Sequence, residues 1–201
     1  MTNLKSKIYS GEIVAGALLL EESRKVARLL IDDVNTQEWY QAVVIDNILQ
    51  KRSPEAAKRQ ARLIRSRLLL MTGDLWKMVV EGTSETTSQA LLAASIKYSR
   101  LVGDFMDTVL RQHWLTFIKQ ITATDWKDYL EQCSQIDPQV EEWKESTRSK
   151  LKQIVFRMLA EANYIDSTKT CKLIPVSIVP EVRGYLVKHN ETYVLRCMEI
   201  S

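Results

Sequence analysis

The sequence is poor in residues that break helices and in residues that build cross-links. Its 201 residues include six glycines and four prolines, whereas a typical protein has about 7% glycine and 5% proline. A loop-rich enzyme or a β-sandwich with many turns needs more turn-forming residues, so this composition favours long helices. The three cysteines, Cys133, Cys171 and Cys197, form no CxxC pair, which excludes a disulfide framework or a zinc finger and favours a reducing compartment.

A long apolar segment is absent as well. The apolar run Ile13–Leu20 spans only eight residues, and a membrane-spanning helix needs about 20. The small residues Ala15–Ala17 precede the leucines of this run, although the cleavage site of a signal peptide follows its apolar segment. We therefore expect a cytoplasmic protein with no membrane partner.

The motifs of several common enzyme classes are missing. No glycine precedes a Lys-Ser or Lys-Thr pair as in a nucleotide-binding P-loop, and neither GxGxxG nor a GxSxG nucleophile elbow occurs. His113 and His189 are far apart and belong to no HExxH zinc motif. We therefore predict a non-enzymatic protein that uses no cofactor and no metal ion.

What the sequence does contain is helical periodicity. Apolar residues three and four positions apart, with charged residues between them, predict a helix over Gly16–Asp33 and another from Ser146 to about Ala162. Further helices are expected over Gln37–Gln50, Pro54 to about Met71, Asp74–Glu81, Gln89 to about Phe117 (with Gly103 as a candidate break) and Asp125–Gln135 (capped by Thr124). Thr83–Ser88 is interpreted as a polar connector. The predicted fold class is all-α, a compact helical domain that contains helix-turn-helix elements.

Two helical regions are expected to share one core. Residues 1–123 form an N-terminal region with a basic helix-turn-helix at 37–71, and residues 124–201 form a C-terminal region with a second candidate helix-turn-helix and an irregular tail. In this tail, Lys172–Ile174 and Thr192–Met198 resemble strands. A small β-ribbon near the C-terminus is therefore left open.

The net charge of +3 hides a strong asymmetry. Lys51–Arg67 carries seven basic residues against one acid, Glu55, a net charge of +6, so the rest of the chain sums to −3. At about 100° per residue, Lys58, Arg62 and Arg65 share a stripe about 60° wide, and Arg59 flanks it. An apolar stripe that can pack on a core lies about 90° away and consists of Ala57, Ala61, Ile64 and Leu68.

A helix, a short turn and a basic helix form the layout of a helix-turn-helix. The turn between Gln37–Gln50 and the next helix is expected to have three to four residues, with Ser53 as N-cap and Pro54 at the first helical position. In such a motif the second helix meets base edges while its flanks contact phosphates. Any helical hairpin has this spacing, so a basic face that is solvated, or paired with acids of the same chain, remains the alternative.

A second basic segment, Lys144–Arg157, has five basic residues against Glu145, a net charge of +4. The predicted helix Asp125–Gln135 and an Asp137-Pro138 turn precede it. Its apolar face is so complete that a core helix is the stronger interpretation, but its polar side remains a candidate for contact with DNA.

The sequence also resembles a known family at many positions. These are Tyr9–Gly11, Gly16–Leu18, Asn47, Leu49–Ser53, Ala57–Arg59, Leu63–Arg65, Asp104, Phe105, Asp125, Trp126, Trp143, Ser146, Thr147, Arg157–Leu159, Glu161 and Ala162. Over about residues 8 to 165 the chain resembles the BrxA family of the bacterial BREX phage-defence systems, and the stretch from Leu49 to Arg67 is the most specific part.

The resemblance implies a small helical, non-enzymatic component of a multi-gene system that distinguishes self from phage DNA by methylation. It implies binding of double-stranded DNA and possible association with other BREX components. Carried onto this sequence, it assigns DNA contact to Lys51, Arg52, Ser53, Lys58, Arg59, Arg62 and Arg65, and to a second element at Arg148, Lys150 and Lys152. The alternatives are an assembly subunit whose basic helix docks on an acidic protein partner, and an RNA-binding adaptor.

Overall fold

The structure is a computed structural model that describes residues 8–200, and it confirms the predicted all-α class. The helices are α1 (Leu20–Ile31), α2 (Thr36–Tyr40), α3 (Pro54–Leu68), α4 (Gly73–Glu81), α5 (Ser84–Tyr98), α6 (Arg100–Phe105), α7 (Arg111–Leu115), α8 (Ala123–Ile136), α9 (Glu145–Glu161), α10 (Pro180–Lys188) and α11 (Thr192–Met198). Glu12–Ala15 and Pro138–Val140 form 3-10 turns, and Gln41–Ile45 and Met106–Leu110 are π-helical. Within residues 8–200 no helix is both long and apolar enough to cross a bilayer.

The β-ribbon left open near the C-terminus is wrong. Thr192–Met198 is helix α11, whose buried residues Val194, Cys197 and Met198 follow a helical spacing. The other segment, Lys172–Ile174, takes part only in isolated antiparallel bridges, of Lys172 to Gln120 and of Leu173 to Ile165. Packing of one helical face therefore overrides the strand propensity of α11.

Helix α5 lies at the centre of the fold and begins earlier than the sequence predicts. Residues 86–96 are all buried, as expected for a helix that is covered on every side. The segment interpreted as a polar connector is its first turn, with Thr83 as N-cap for the N–H of Thr86. Gln89 shows why polar residues are tolerated there, since its side chain donates to the carbonyl of Ser177 (3.1 Å) and accepts from the N–H of Val179 (2.8 Å).

The break after α5 lies at Ser99, where the backbone is extended, and not at Gly103. Gly103 instead permits a close approach between α6 and α11, because a Cβ there would lie 2.3 Å from the Tyr193 hydroxyl. One hydrophobic cluster runs from Tyr9 to Ile200 and includes residues of all the longer helices. The proposed division of the chain near residue 123 stays a prediction.

Candidate nucleic-acid interface

Helix α3 begins as its sequence predicts. Ser53 has an extended backbone, and its hydroxyl accepts a hydrogen bond from the N–H of Ala56 at 3.2 Å. Pro54 occupies the first helical position, where its missing N–H costs no hydrogen bond. The side chain of Ser53 therefore caps α3 and is bonded to the first turn of the helix.

The helix before α3 is shorter than predicted and the turn is longer. The predicted helix Gln37–Gln50 ends at Ile45, and the connector covers residues 46–53 rather than three or four residues. Asn47 adopts a left-handed backbone, and its side-chain amide bonds both the C=O and the N–H of Lys51 at 2.9 Å. These two bonds close the connector into a fixed loop. That the hairpin works as a helix-turn-helix stays a prediction.

The inner side of α3 packs on the core and on the segment before α1. The predicted apolar stripe, Ala57, Ala61, Ile64 and Leu68, is buried. Next to it Arg67 is 3% exposed, and its guanidinium donates to the carbonyls of Gly16 (3.0 Å) and Ala17. Burial lowers the pKa of Arg67 to about 10. This arginine binds the protein's own backbone and is unavailable to a ligand.

The outer side of α3 carries the other cations of the helix. Lys58, Arg59, Arg62 and Arg65 are exposed, as is Arg52 in the connector. Among residues 8–200, none of these five cations has a carboxylate within 4 Å. We call these five residues the basic face. The alternative in which acids of the same chain neutralise this face finds no support in the described ion pairs.

Two aromatic residues of α2 lie beneath the basic face, and the sequence analysis did not single them out for this role. The guanidinium of Arg65 lies over the Trp39 ring at 5.1 Å from its centroid, and the Lys58 ammonium lies over the Tyr40 ring at 5.7 Å. Such cation–π contacts leave the charge intact and restrict the side chain. The signal available in the sequence was an adjacent Trp-Tyr pair in the helix before a basic helix.

Two of the predicted site residues, Lys51 and Ser53, already have partners within the protein. Lys51 forms an ion pair with Glu22 at 2.5 Å, with both side chains about one-fifth exposed. Burial raises the pKa of Glu22, but the hydrogen bond and charge of Lys51, together with a backbone hydrogen bond and the charge of Lys25, lower it overall. Ser53 caps α3. Both residues therefore shape the start of the basic helix.

The second candidate helix-turn-helix, formed by α8, a connector and α9, differs from the first in how its connector is held. Its first helix, α8, is capped by Thr122 and not by Thr124, through a reciprocal pair of bonds with Asp125. The guanidinium of Arg148 donates to the carbonyls of Trp143, Val140 and Glu141 at 3.1–3.2 Å. Arg148 therefore closes the connector between α8 and α9, and its Nε and Nη2 donors are used in doing so.

The three predicted residues of this second element do not form one free cluster. Lys150 is exposed and Lys152 is half-buried. Positions 148 and 152 share one side of α9, whereas position 150 diverges from 148 by about 200°. Lys150 and Lys152 thus remain as candidates for contact with a ligand, but on different sides of the helix.

Comparisons with known proteins agree with this architecture. Residues 7–190 match the family model described as BrxA. A protein of Paramagnetospirillum magneticum named BREX protein BrxA is 44% identical over 193 residues, which cover 96% of this chain and 97% of that protein. The BREX protein BrxA of Escherichia coli is 29% identical, over 96% of this chain and 91% of that protein. The crystal structure of an uncharacterized protein from Magnetospirillum magneticum, 41% identical, has a TM-score of 0.89 and covers 96% of this chain and 100% of that chain.

The fold and the site define a class of compact all-α proteins that present a cation-lined helix to solvent. The particular family follows from the matches over nearly the whole chain. The protein belongs to the BrxA family, and the resemblance inferred from its sequence is confirmed.

Proposed function

We propose that this BrxA-family protein binds double-stranded DNA through the basic face of α3, as a non-enzymatic component of a cytoplasmic BREX phage-defence system. The observation that carries the proposal is that the cations of α3 differ in burial and in their partners. Arg67 is buried against the protein's own backbone, whereas Lys58, Arg59, Arg62 and Arg65 are exposed without acidic partners in the described part of the chain. Like charges on neighbouring turns repel one another, and DNA phosphates would relieve that repulsion.

The proposed mode of binding is mainly electrostatic. Phosphate contacts carry little sequence information, while base readout relies on side chains such as Asn, Gln and bidentate Arg. Gln60, a residue of α3 that could read adenine, is half-buried and donates to the carbonyl of Ala15 at 3.5 Å. We therefore expect modest sequence preference, with Arg59 and Arg62 as the residues closest in type to base readers.

The test is a gel-shift titration of duplex DNA with the variant Arg59→Glu plus Arg62→Glu. A matched control is Lys77→Glu plus Lys169→Glu, which changes the net charge equally at exposed lysines outside α2, α3 and α9. The proposal predicts that the first variant loses affinity about thirtyfold or more, because each of the two lost contacts costs about 1–3 kcal/mol and about 1.4 kcal/mol corresponds to a factor of ten. The control variant should bind nearly as wild type, and circular dichroism should show equal helical content in both. Equal affinity of all three proteins would contradict the proposal.

A second function, docking on an acidic protein partner, is favoured by the apolar residues beside the basic face. Tyr40 is 50% exposed and Ile45 is 59% exposed, and protein interfaces combine such residues with arginine. If Arg59→Glu plus Arg62→Glu abolishes association with another BREX component and leaves DNA affinity unchanged, this second function replaces the first. Competition between duplex DNA and RNA in the same titration separates DNA binding from an RNA-adaptor role.

A further inference from the structure

A second exposed surface lies where α7 ends, and neither the fold nor the basic face accounts for it. Of the residues after Trp114, Leu115 is 65% exposed, Phe117 88% and Ile118 48%. Isolated exposed apolar side chains are common, but neighbouring ones that line a pocket mark an interaction site. A pocket of about 520 Å³ lies here, and we define the Phe117 patch by the residues that line it: Trp114, Phe117, Ile118, Lys119, Gln120, Lys172 and Leu173.

The backbone at Phe117 is unfavourable for an aromatic residue. Phe117 has φ of 60°, the left-handed conformation that glycine or asparagine usually supplies after a helix. The N–H of Ile118 donates to the carbonyl of His113 at 2.8 Å, the bond that accompanies such a helix end. Folding alone would favour a smaller residue here. The ring is nevertheless present, and it projects into solvent, where another molecule could contact it.

The backbone next to the ring has an open edge at Gln120, which forms an isolated antiparallel bridge with Lys172. The N–H of Leu173 donates to the carbonyl of Lys119 at 2.9 Å, and the N–H of Ile121 donates to the carbonyl of Cys171 at 3.1 Å. In this antiparallel pairing the N–H and C=O of the residue between them, Gln120, point away from the partner segment. Neither group has a hydrogen-bond partner within residues 8–200. An added strand could use both groups.

The charges around the patch indicate which kind of peptide segment it could bind. Lys119 and Lys172 are exposed, and no carboxylate in the described part of the chain lies within 4 Å of either ammonium. The nearby Asp166 accepts hydrogen bonds from backbone N–H groups and from Thr170. A ligand with apolar side chains and carboxylates would complement this surface. Two lysines and one exposed ring are few for tracking a nucleic-acid strand, which takes a cationic groove and several stacking rings.

We propose that the Phe117 patch binds an extended segment of a partner protein, in which an apolar anchor side chain is flanked by acidic residues. The anchor fills the pocket between Phe117, Ile118 and Leu173. The main chain of the segment pairs with Gln120, and its carboxylates meet Lys119 and Lys172. This surface is distinct from the basic face, so the inference does not depend on DNA binding.

The test is selection of a phage-displayed library of random peptides on the whole protein, with depletion on the variant Phe117→Asn. Asn tolerates the left-handed backbone, so this variant should fold. The proposal predicts enrichment of sequences that combine apolar and acidic residues. A synthetic peptide of the enriched sequence should bind Phe117→Asn, and Lys119→Glu plus Lys172→Glu, about tenfold or more weakly. Ile136→Asn is the matched control, since Ile136 is 61% exposed and lies about 20 Å along α8 from Ala123.

Three outcomes would overturn the proposal. The first is the absence of any peptide that discriminates wild type from Phe117→Asn, or enrichment of basic peptides. The second is a dimer of the wild type in light scattering that becomes a monomer in Phe117→Asn, which would assign the patch to a second copy of the chain. The third is tight binding of single-stranded oligothymidylate that Phe117→Asn abolishes, which would assign it to nucleic acid.

Discussion

The guanidinium carbon of Arg65 lies 5.1 Å from the centre of the Trp39 ring, so a cation of α3 rests on an aromatic residue of α2. Trp39 is itself packed against the hydrophobic core. The contact therefore joins the core to the basic face and holds the charge of Arg65 at a fixed place on the surface. A positioned cation loses less conformational entropy when it meets a phosphate than a freely rotating one.

This relationship predicts the behaviour of Trp39→Leu. The variant removes the ring but keeps every cation, so DNA affinity should fall about two- to fivefold, the equivalent of about 0.5–1 kcal/mol. The dependence of affinity on salt should stay as in wild type, because the number of neutralised phosphates is unchanged. Fluorescence anisotropy at several salt concentrations measures both quantities. A change in the salt slope would show that Trp39 does more than position Arg65.

Arg67 and Arg62 lie on one helix, but their mutation should affect the stability of the protein to very different extents. Arg67→Met leaves the carbonyls of Gly16 and Ala17 without their donor, so the free energy of unfolding should fall by about 2 kcal/mol or more. Arg62→Met, at an exposed position, should change it by less than about 0.5 kcal/mol. Urea denaturation of both variants checks this. Equal stabilities would contradict the assignment of Arg67 to the interior.

Arg148 should behave as a structural residue despite its place in the second basic segment. Arg148→Ala removes three hydrogen bonds to carbonyls of the connector and should cost about 1–2 kcal/mol of stability. The salt slope of DNA binding should not change. Lys150→Ala, at an exposed position of the same helix, is the control and should leave stability unaffected. A salt slope that Arg148→Ala reduces by about 1 would show that Arg148 does contact phosphate.

Two glycines in helices give a prediction about packing. A Cβ at Gly103 would lie 2.3 Å from the Tyr193 hydroxyl and 2.9 Å from Cγ2 of Ile96, so Gly103→Ala should destabilise the protein by about 1–3 kcal/mol. A Cβ at Gly184, within α10, would meet nothing within 4 Å, so Gly184→Ala should stabilise it by about 0.5–1 kcal/mol. In thermal denaturation, Gly103→Ala should therefore have a lower midpoint temperature than wild type, and Gly184→Ala a higher one.

The parts of the fold that the sequence predicts well depend on short-range signals. The cap formed by Ser53 and Pro54, and the apolar faces of α3 and α9, arise from residues within a few turns of one another. The start of α5 could not be predicted in this way. Its polar first turn is buried because other helices cover it, and Gln89 finds its partners in residues 177–179, far along the chain.

In the candidate site, too, the sequence predicts the features that depend on short-range signals and misses those that depend on distant segments. Periodicity predicts that Lys58, Arg62 and Arg65 share one side of α3, and these residues are exposed together. Periodicity could not distinguish Arg148, whose guanidinium bonds a connector, from a free cation. Nor does it reveal that Lys51 pairs with Glu22, 29 residues earlier. Such pairings depend on which segments the fold brings together.

The most direct test of the central claim is the salt dependence of duplex DNA binding by wild type and Arg62→Ala. Neutralisation of about five phosphates by the basic face predicts that log K falls against log salt with a slope of about −4 to −5. Arg62→Ala should reduce the magnitude of that slope by about 1 at unchanged stability. A slope that Arg62→Ala leaves unaltered, or a wild-type affinity that does not depend on salt, would contradict the claim that this face binds DNA.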